Sequence, residues 1–133
     1  MNNLKTIIRA SIAAFFLFSI GTGLCAQQYD SDWTAYDSKK VGDGEVVFYR
    51  RFKEYSLSFK VENRTTNIIV DDFIVTVEMT WATNTQSKTY TEEKSIDIPV
   101  RPGRSQVVVF DRPDYSKIKS YSMDGHIEFS RND

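Results

Sequence analysis

The sequence contains few of the side chains from which enzymes and metal sites are built. Among its 133 residues there is one cysteine, Cys25, and one histidine, His126. Structural and catalytic zinc sites need several Cys or His ligands, and Ser–His–Asp or Cys–His nucleophiles need a histidine held by partners. A lone histidine is more often an ordinary strand residue than a ligand or a base. We therefore predict no catalytic residue, no metal and no cofactor, and a protein that is not an enzyme.

The sequence also lacks a surplus of positive charge and a phosphate-binding loop. It has 17 Lys and Arg against 18 Asp and Glu, a net charge of −1. Binding to a phosphate backbone depends on clustered Lys and Arg, so no nucleic-acid partner is expected. Gly42 and Gly44 are spaced for a turn and are not followed by a helical pattern, as a phosphate loop requires.

Long apolar runs are absent apart from Ala10–Leu24, which is shorter than the roughly 20 residues of a membrane-spanning helix. The basic residues Lys5 and Arg9 precede it, and small residues lie near its end. This pattern is typical of a bacterial-type secretory signal peptide. We predict a signal peptide over residues 1–26, cleaved after Ala26, and a secreted protein of the periplasm or cell surface with no transmembrane segment after cleavage.

Cys25 allows a second interpretation, in which it becomes an acylated N-terminus that anchors the protein to a membrane. A bacterial lipobox has a small residue directly before the cysteine, and here that residue is Leu24. Removal of Cys25 with the leader is the favoured prediction. The mature protein would then have no cysteine and no disulfide framework.

Alternation of apolar and polar residues dominates the chain after residue 43. Side chains of a strand point alternately to its two faces, and this pattern predicts strands over Val46–Phe52, Tyr55–Glu62 and Phe73–Trp81. Residues 27–43 are polar and irregular in pattern, so we predict an N-terminal arm there and one domain over residues 44–133. Regularly spaced short strands without an amphipathic helix are typical of a sandwich. We predict an all-β fold, a single immunoglobulin-like antiparallel β-sandwich of about seven strands.

Turn residues define the second half of the predicted domain. Pro102 and Gly103 suit the two central positions of a type II turn over residues 101–104, in which glycine takes a positive φ. Alternation over Ile96–Val100 predicts a strand. Pro99 indicates either an edge strand or a position whose backbone nitrogen faces away from the ladder. Asp124-Gly125 indicates either a tight turn or a bulge in one long final strand.

Three segments together resemble bacterial extracytoplasmic immunoglobulin-like domains, including the FxLYD type. Ser58–Thr65 is a strand ending in Asn and small polar residues, and Phe73–Trp81 is an alternating strand with a terminal aromatic residue. Ile96–Phe110 places a Pro-Gly turn before the final apolar strands. The likeness covers about residues 55–110, and it implies a sandwich with a binding role and no shared catalytic site.

Surface recognition is the function class that remains. Aromatic residues and arginines are enriched at interface hot spots. The sequence concentrates both on the first predicted strand and places further aromatic residues in the arm. The main hypothesis is a protein-binding module, an accessory of an envelope or fibre assembly. The alternative is a small carbohydrate-binding module that stacks sugars on the ring of Trp33, Tyr36 or Trp81. The interpretation without a ligand is an amphipathic edge strand protected by its arginines. The candidate partner-binding residues are Tyr49, Arg50, Arg51, Trp33 and Tyr36.

Overall fold

The computed structural model describes residues 8–14, 28–82, 87–111 and 117–132. All regular elements in these residues are β-strands, and none is a helix. The strands are β1 (Ile8–Ala14), β2 (Thr34–Val41), β3 (Gly44–Phe52), β4 (Ser56–Arg64), β5 (Ile68–Ala82), β6 (Ser87–Ser95), β7 (Ser105–Asp111) and β8 (Lys117–Arg131).

The eight strands form two antiparallel sheets of four, which pack face to face. One sheet has the order β1-β8-β5-β6, and the other has the order β2-β3-β4-β7. Strands β2 to β8 follow the predicted signal peptide, and β1 lies inside it. The all-β sandwich of about seven strands is therefore confirmed.

The immunoglobulin-like strand order is not confirmed. Three consecutive strands, β2, β3 and β4, form a meander in one sheet, and β7 joins them at the far side of β4. In constant-type immunoglobulin domains the third strand lies in the opposite sheet from the first two. Any two β-sheets packed over one apolar layer produce the same alternating sequence pattern, whatever the order of their strands. Alternation alone therefore does not determine how the strands are connected.

Alternation predicts the inner face of the sandwich correctly. Phe73, Val75, Val77, Met79 and Trp81 of β5 are all buried, as the sequence predicted for this strand. Aromatic rings fill the layer between the sheets: the centroids of Phe48 and Phe73 are 5.5 Å apart, and those of Phe59 and Tyr121 are 5.9 Å apart. The core is held by packing, mostly of aromatic and β-branched side chains from both sheets.

The prediction of an irregular arm over residues 27–43 is wrong for the second half of that segment, because Thr34–Val41 forms β2. This strand pairs with β3, and its register shifts between Ala35 and Asp37. The shift is a bulge that moves Tyr36 toward the core and interrupts the period of two on which strand prediction depends. Most other β2 side chains face solvent, so no continuous apolar row marks it in the sequence.

Two further local predictions need correction. Ile96–Val100 is not a strand, although Ile96 and Val100 are buried and Ile98 is exposed. The segment contacts β5 through an isolated bridge between Val100 and Val70 and a hydrogen bond from the Ile96 N–H to the Phe73 carbonyl at 3.2 Å. Asp124-Gly125 forms neither a turn nor a bulge, since β8 continues through it and Gly125 lies opposite Val75 in regular register.

The predicted turn over residues 101–104 is confirmed. Gly103 has a φ of 79°, and the Arg104 N–H donates to the Arg101 carbonyl at 3.0 Å. The Gly103 N–H donates to the Asn63 carbonyl at 2.8 Å, so the turn also docks on the end of β4.

Replacing Gly103 by Ala tests the positive φ at this turn. A Cβ at this position meets no atom within 4 Å, so the cost comes from the backbone conformation alone, and we expect a loss of about 1 kcal/mol in the free energy of unfolding. Urea denaturation of both proteins measures it. An unchanged midpoint would contradict a type II turn here.

The predicted signal peptide is only partly within the described residues. Ile8–Ala14 forms β1, which pairs with β8 over seven positions. Cys25 and the expected cleavage site at Ala26 lie outside the described residues, so secretion and the lipid-anchor alternative stay predictions. In the part of the chain that the structure describes, no helix is long and apolar enough to cross a membrane.

Candidate functional site

The outer face of the β2-β3-β4-β7 sheet carries the polar and aromatic side chains of β3 and β4. Since neighbours on a strand point to opposite faces, Phe48 and Phe52 enter the core while Tyr49 and Arg51 face outward. Lys60 of β4 lies directly opposite Tyr49 in the β3–β4 register. Side chains directly opposite each other on one face are near neighbours, and this register sets the site.

Trp33 lies against two cations on this face. The Cζ atom of Arg51 is 4.4 Å from the centroid of the Trp33 ring, and the Nζ atom of Lys60 is 4.8 Å from it. Lys60 Nζ is also 4.5 Å from the centroid of the Tyr49 ring. A cation over an aromatic face contributes about 0.5–1 kcal/mol at a partly exposed site. These contacts hold long side chains in one arrangement.

Tyr49 is fixed at its hydroxyl end by a charged pair. The Tyr49 hydroxyl donates to Glu62 Oε1 at 2.8 Å and accepts from Arg64 Nη2 at 2.7 Å. Arg64 Nε also contacts Glu62 Oε1 at 2.8 Å. We call the six residues the aromatic–cation cluster: Trp33, Tyr49, Arg51, Lys60, Glu62 and Arg64.

The ionisation states in the cluster are stabilised by the same contacts. Desolvation raises the pKa of the Tyr49 phenol, and its hydrogen bond to Glu62 raises it further. The hydrogen bond from Tyr49 lowers the pKa of the Glu62 carboxyl, with a further lowering by Arg64. At neutral pH Tyr49 is therefore a neutral donor and Glu62 an anion. Three cations share the cluster with this one carboxylate, and a further carboxylate, that of Glu45, lies at its edge opposite Arg64.

The surface beside the cluster is apolar on the β7 side and forms a polar depression on the β2 side. On the β7 side, Val107 and Val109 are each 42% exposed, and they lie opposite Lys60 and Ser58 in register. On the β2 side lies a shallow depression of about 420 Å³. Its lining residues are Ala35, Asp37, Ser38, Glu45, Val47, Tyr49 and Arg64.

The structure brings together three of the five candidate residues. Tyr49, Arg51 and Trp33 meet in the cluster. Arg50 lies on the other face of β3, where its Nε is 3.3 Å from Asp30 Oδ2 and its Nη1 donates to the Tyr121 hydroxyl at 3.4 Å. Tyr36 packs near Phe48 and Phe59, with centroid distances of 6.3 and 6.2 Å, and burial raises the pKa of its phenol. Arg50 and Tyr36 therefore stabilise the fold.

Lys60, Glu62 and Arg64 are the cluster residues that the sequence analysis missed. Alternation placed Lys60 and Glu62 on the polar face of their strand. This placement was the signal in the sequence that could have identified them as surface residues. A two-residue turn at Lys53-Glu54 would pair Tyr49 with Ser58. The observed connection is longer, with Phe52 opposite Leu57, and it moves Lys60 opposite Tyr49.

Other residues offer less for ligand binding. Trp81 is 3% exposed and packs edge-on against Tyr90, with ring centroids 5.2 Å apart, so it is not a sugar platform. Within the described residues, no group of three or more His, Cys, Asp or Glu side chains is placed to hold a metal ion.

Comparisons with known proteins give a distant structural likeness. No family model matches the chain, and no curated protein matches it. A solved structure, the Avr2 effector protein from the fungal plant pathogen Fusarium oxysporum, is 10% identical over 92% of this chain and 86% of that chain, with a TM-score of 0.37. A likeness at this TM-score carries no conclusion about function.

Proposed function

We propose that this chain is a secreted, non-enzymatic module that binds another protein through the aromatic–cation cluster. The observation that carries the proposal is the arrangement around Trp33, whose ring lies against both Arg51 and Lys60. Trp, Tyr and Arg are the residues most enriched at binding hot spots. Side chains already held in one arrangement lose less conformational entropy when a partner binds.

The charge and shape of this face indicate the kind of partner. Cations outnumber the single carboxylate of the cluster, and Val107 and Val109 add an exposed apolar strip beside it. A partner surface with carboxylates facing Arg51 and Lys60, and with an apolar margin against β7, would complement both features. Electrostatic complementarity of this kind speeds association and makes its rate depend on salt.

The carbohydrate-binding alternative has less support. Sugar stacking needs an open ring face, whereas Trp81 is buried and Trp33 is approached by two cations. Tyr36 packs against the core cluster. The protein-binding proposal uses the cations as contacts, and the carbohydrate alternative would require them to move.

Crosslinking in the native cell envelope tests the proposal. The tagged protein is crosslinked, purified and analysed by mass spectrometry, and the partner found is then titrated against purified variants. We expect Tyr49→Ala with Arg51→Ala to weaken partner binding by at least about tenfold, as for the loss of a hot spot.

The matched control is Tyr55→Ala with Arg104→Ala, which removes the same side-chain types from exposed positions outside the cluster. This control should bind the partner as the parent does. Equal weakening by both double variants would contradict the proposed site. Recovery of glycans with no protein partner would favour the carbohydrate alternative.

A further inference from the structure

Strand β1 shows that the edge of β8 can accept an additional antiparallel strand. The pairing runs from Ile8 opposite Phe129 to Ala14 opposite Met123 without a register shift. Position by position, apolar residues of β1 lie opposite Phe129, Ile127, Gly125 and Met123. Arg9 lies opposite Glu128.

This strand lies within the predicted signal peptide. Cleavage after Ala26 would remove β1 and leave β8 as an edge strand along Met123–Phe129. An edge strand presents unpaired N–H and C=O groups, and these are a template for pairing with another chain.

The other three sheet edges carry features that oppose strand addition. Strand β2 has the bulge near Tyr36, and bulges twist an edge away from pairing. On β7, the Val109 carbonyl accepts a hydrogen bond from Lys94 Nζ at 2.9 Å. Strand β6 carries four charged residues in nine, a common protection of edges. Along Met123–Phe129, β8 pairs with β1 without a register shift. Its pairing with β5 is regular along Met123–Glu128, and the register shift beyond Glu128 is caused by an extra residue in β5, between Val70 and Asp72.

We propose that, after cleavage of the leader, β8 binds an extended segment of a partner protein in the register that Ile8–Ala14 occupies in the uncleaved chain. This inference rests on the proposed function and adds a second contact to it, by strand addition. The segment has apolar residues at alternate positions, opposite Met123, Gly125, Ile127 and Phe129. It has a basic residue opposite Glu128.

Charge distinguishes this occupant from a second copy of β8. Between Ser122 and Glu128 the solvent-facing row contains Asp124, His126 and Glu128 and no Lys or Arg. His126 Nε2 lies 3.6 Å from Glu128 Oε2 within that row. A second β8 would bring two further carboxylates to this surface, whereas a basic partner residue complements it.

A peptide with the sequence Ile8–Ala14, blocked at both ends, tests the proposal against the processed protein recovered after secretion. N-terminal sequencing first establishes that this protein lacks residues 8–14. In an NMR titration we expect saturable shifts of amide signals along Met123–Phe129 and none along β6. Protein that retains residues 1–26 should not bind the peptide.

A charge exchange then tests the register. Glu128→Arg should weaken peptide binding about three- to tenfold, and a peptide with Arg9→Glu should restore it. Asp124→Arg is the matched control, because it makes the same change of charge opposite Ala13; its effect should not be reversed by the altered peptide. Protein with Tyr49→Ala and Arg51→Ala should bind the peptide as the parent does. This variant therefore distinguishes failure of the proposed binding through the aromatic–cation cluster from failure of the proposed strand addition at β8.

Several results would overturn the inference. These are retention of residues 8–14 in the secreted protein, absence of shifts along β8 at saturating peptide, and a charge exchange without rescue. A dimer of the processed protein that protects the β8 amides from hydrogen exchange would assign the edge to a second copy.

Discussion

Replacing Trp81 by Ala is expected to lower the free energy of unfolding by about 3–5 kcal/mol. Trp81 is 3% exposed at the end of β5 and packs against Tyr90. Its removal takes a large apolar side chain from the core and leaves a cavity that neighbouring strands fill only in part. The mature chain would have no disulfide to limit the loss.

Trp33→Ala is the matched control for this prediction. Trp33 is half-buried on the outer face, and its loss removes two cation–aromatic contacts and no core packing. We expect a loss of about 1–2 kcal/mol, the sum of the two contacts. Urea denaturation followed by circular dichroism measures both variants without relying on tryptophan fluorescence. Similar small effects at both positions would place Trp81 outside the core and return it to consideration as a sugar platform.

The strands in which apolar and polar residues alternate without interruption were predictable, because every second side chain of such a strand is buried in the core. Phe73–Trp81 satisfies the period of two, and the structure buries each of its five apolar residues. Strand β2 was not predicted, because a bulge between Ala35 and Asp37 interrupts the period of two. Long-range pairing also changed the outcome at Asp124-Gly125, which is locally typical of a turn. Pairing of β8 with β5 keeps that dipeptide extended.

The candidate site was predictable only in its local part. Adjacent residues of a strand must face opposite ways, so Tyr49 and Arg51 on one face, with Arg50 on the other, follow from the sequence. The approach of Trp33 and the pairing of Tyr49 with Lys60 depend on the β3–β4 register and on the path of residues 28–33. Both are fixed by contacts between distant parts of the chain, such as the Asp30 N–H donating to the Phe52 carbonyl at 2.8 Å.

Asn63 is a structural residue that alternation cannot identify, because it occupies an inward position of β4 with a polar side chain. It is fully buried. Its Nδ2 donates to the carbonyls of Ile68 at 2.8 Å and Val100 at 2.9 Å. Its Oδ1 accepts from the Thr65 N–H at 3.0 Å and from the Thr65 hydroxyl at 2.7 Å. One side chain therefore joins β4, the start of β5 and the segment that leads into the Pro-Gly turn.

Replacing Asn63 by Ala should lower the free energy of unfolding by about 3 kcal/mol. The change leaves buried carbonyls of Ile68 and Val100 and the N–H of Thr65 without this partner, and an unsatisfied buried polar group costs about 1–3 kcal/mol. Asn63→Asp should be at least as destabilising at pH 7, although it preserves shape, because it replaces two donors with a buried carboxylate oxygen.

Asn67→Ala is the matched control, since Asn67 lies in the same connection between β4 and β5 with an exposed side chain. Its expected effect is within about 0.5 kcal/mol. If Asn63→Ala and Asn63→Asp were both tolerated, the connection would have to be held by its backbone bonds alone, chiefly the Asn63 N–H to the Arg104 carbonyl at 2.9 Å. A large loss for both, with none for Asn67→Ala, would instead show that the amide donors of Asn63 fix the junction between the two sheets. That result would explain why a polar residue interrupts the apolar face of β4 at its last inward position.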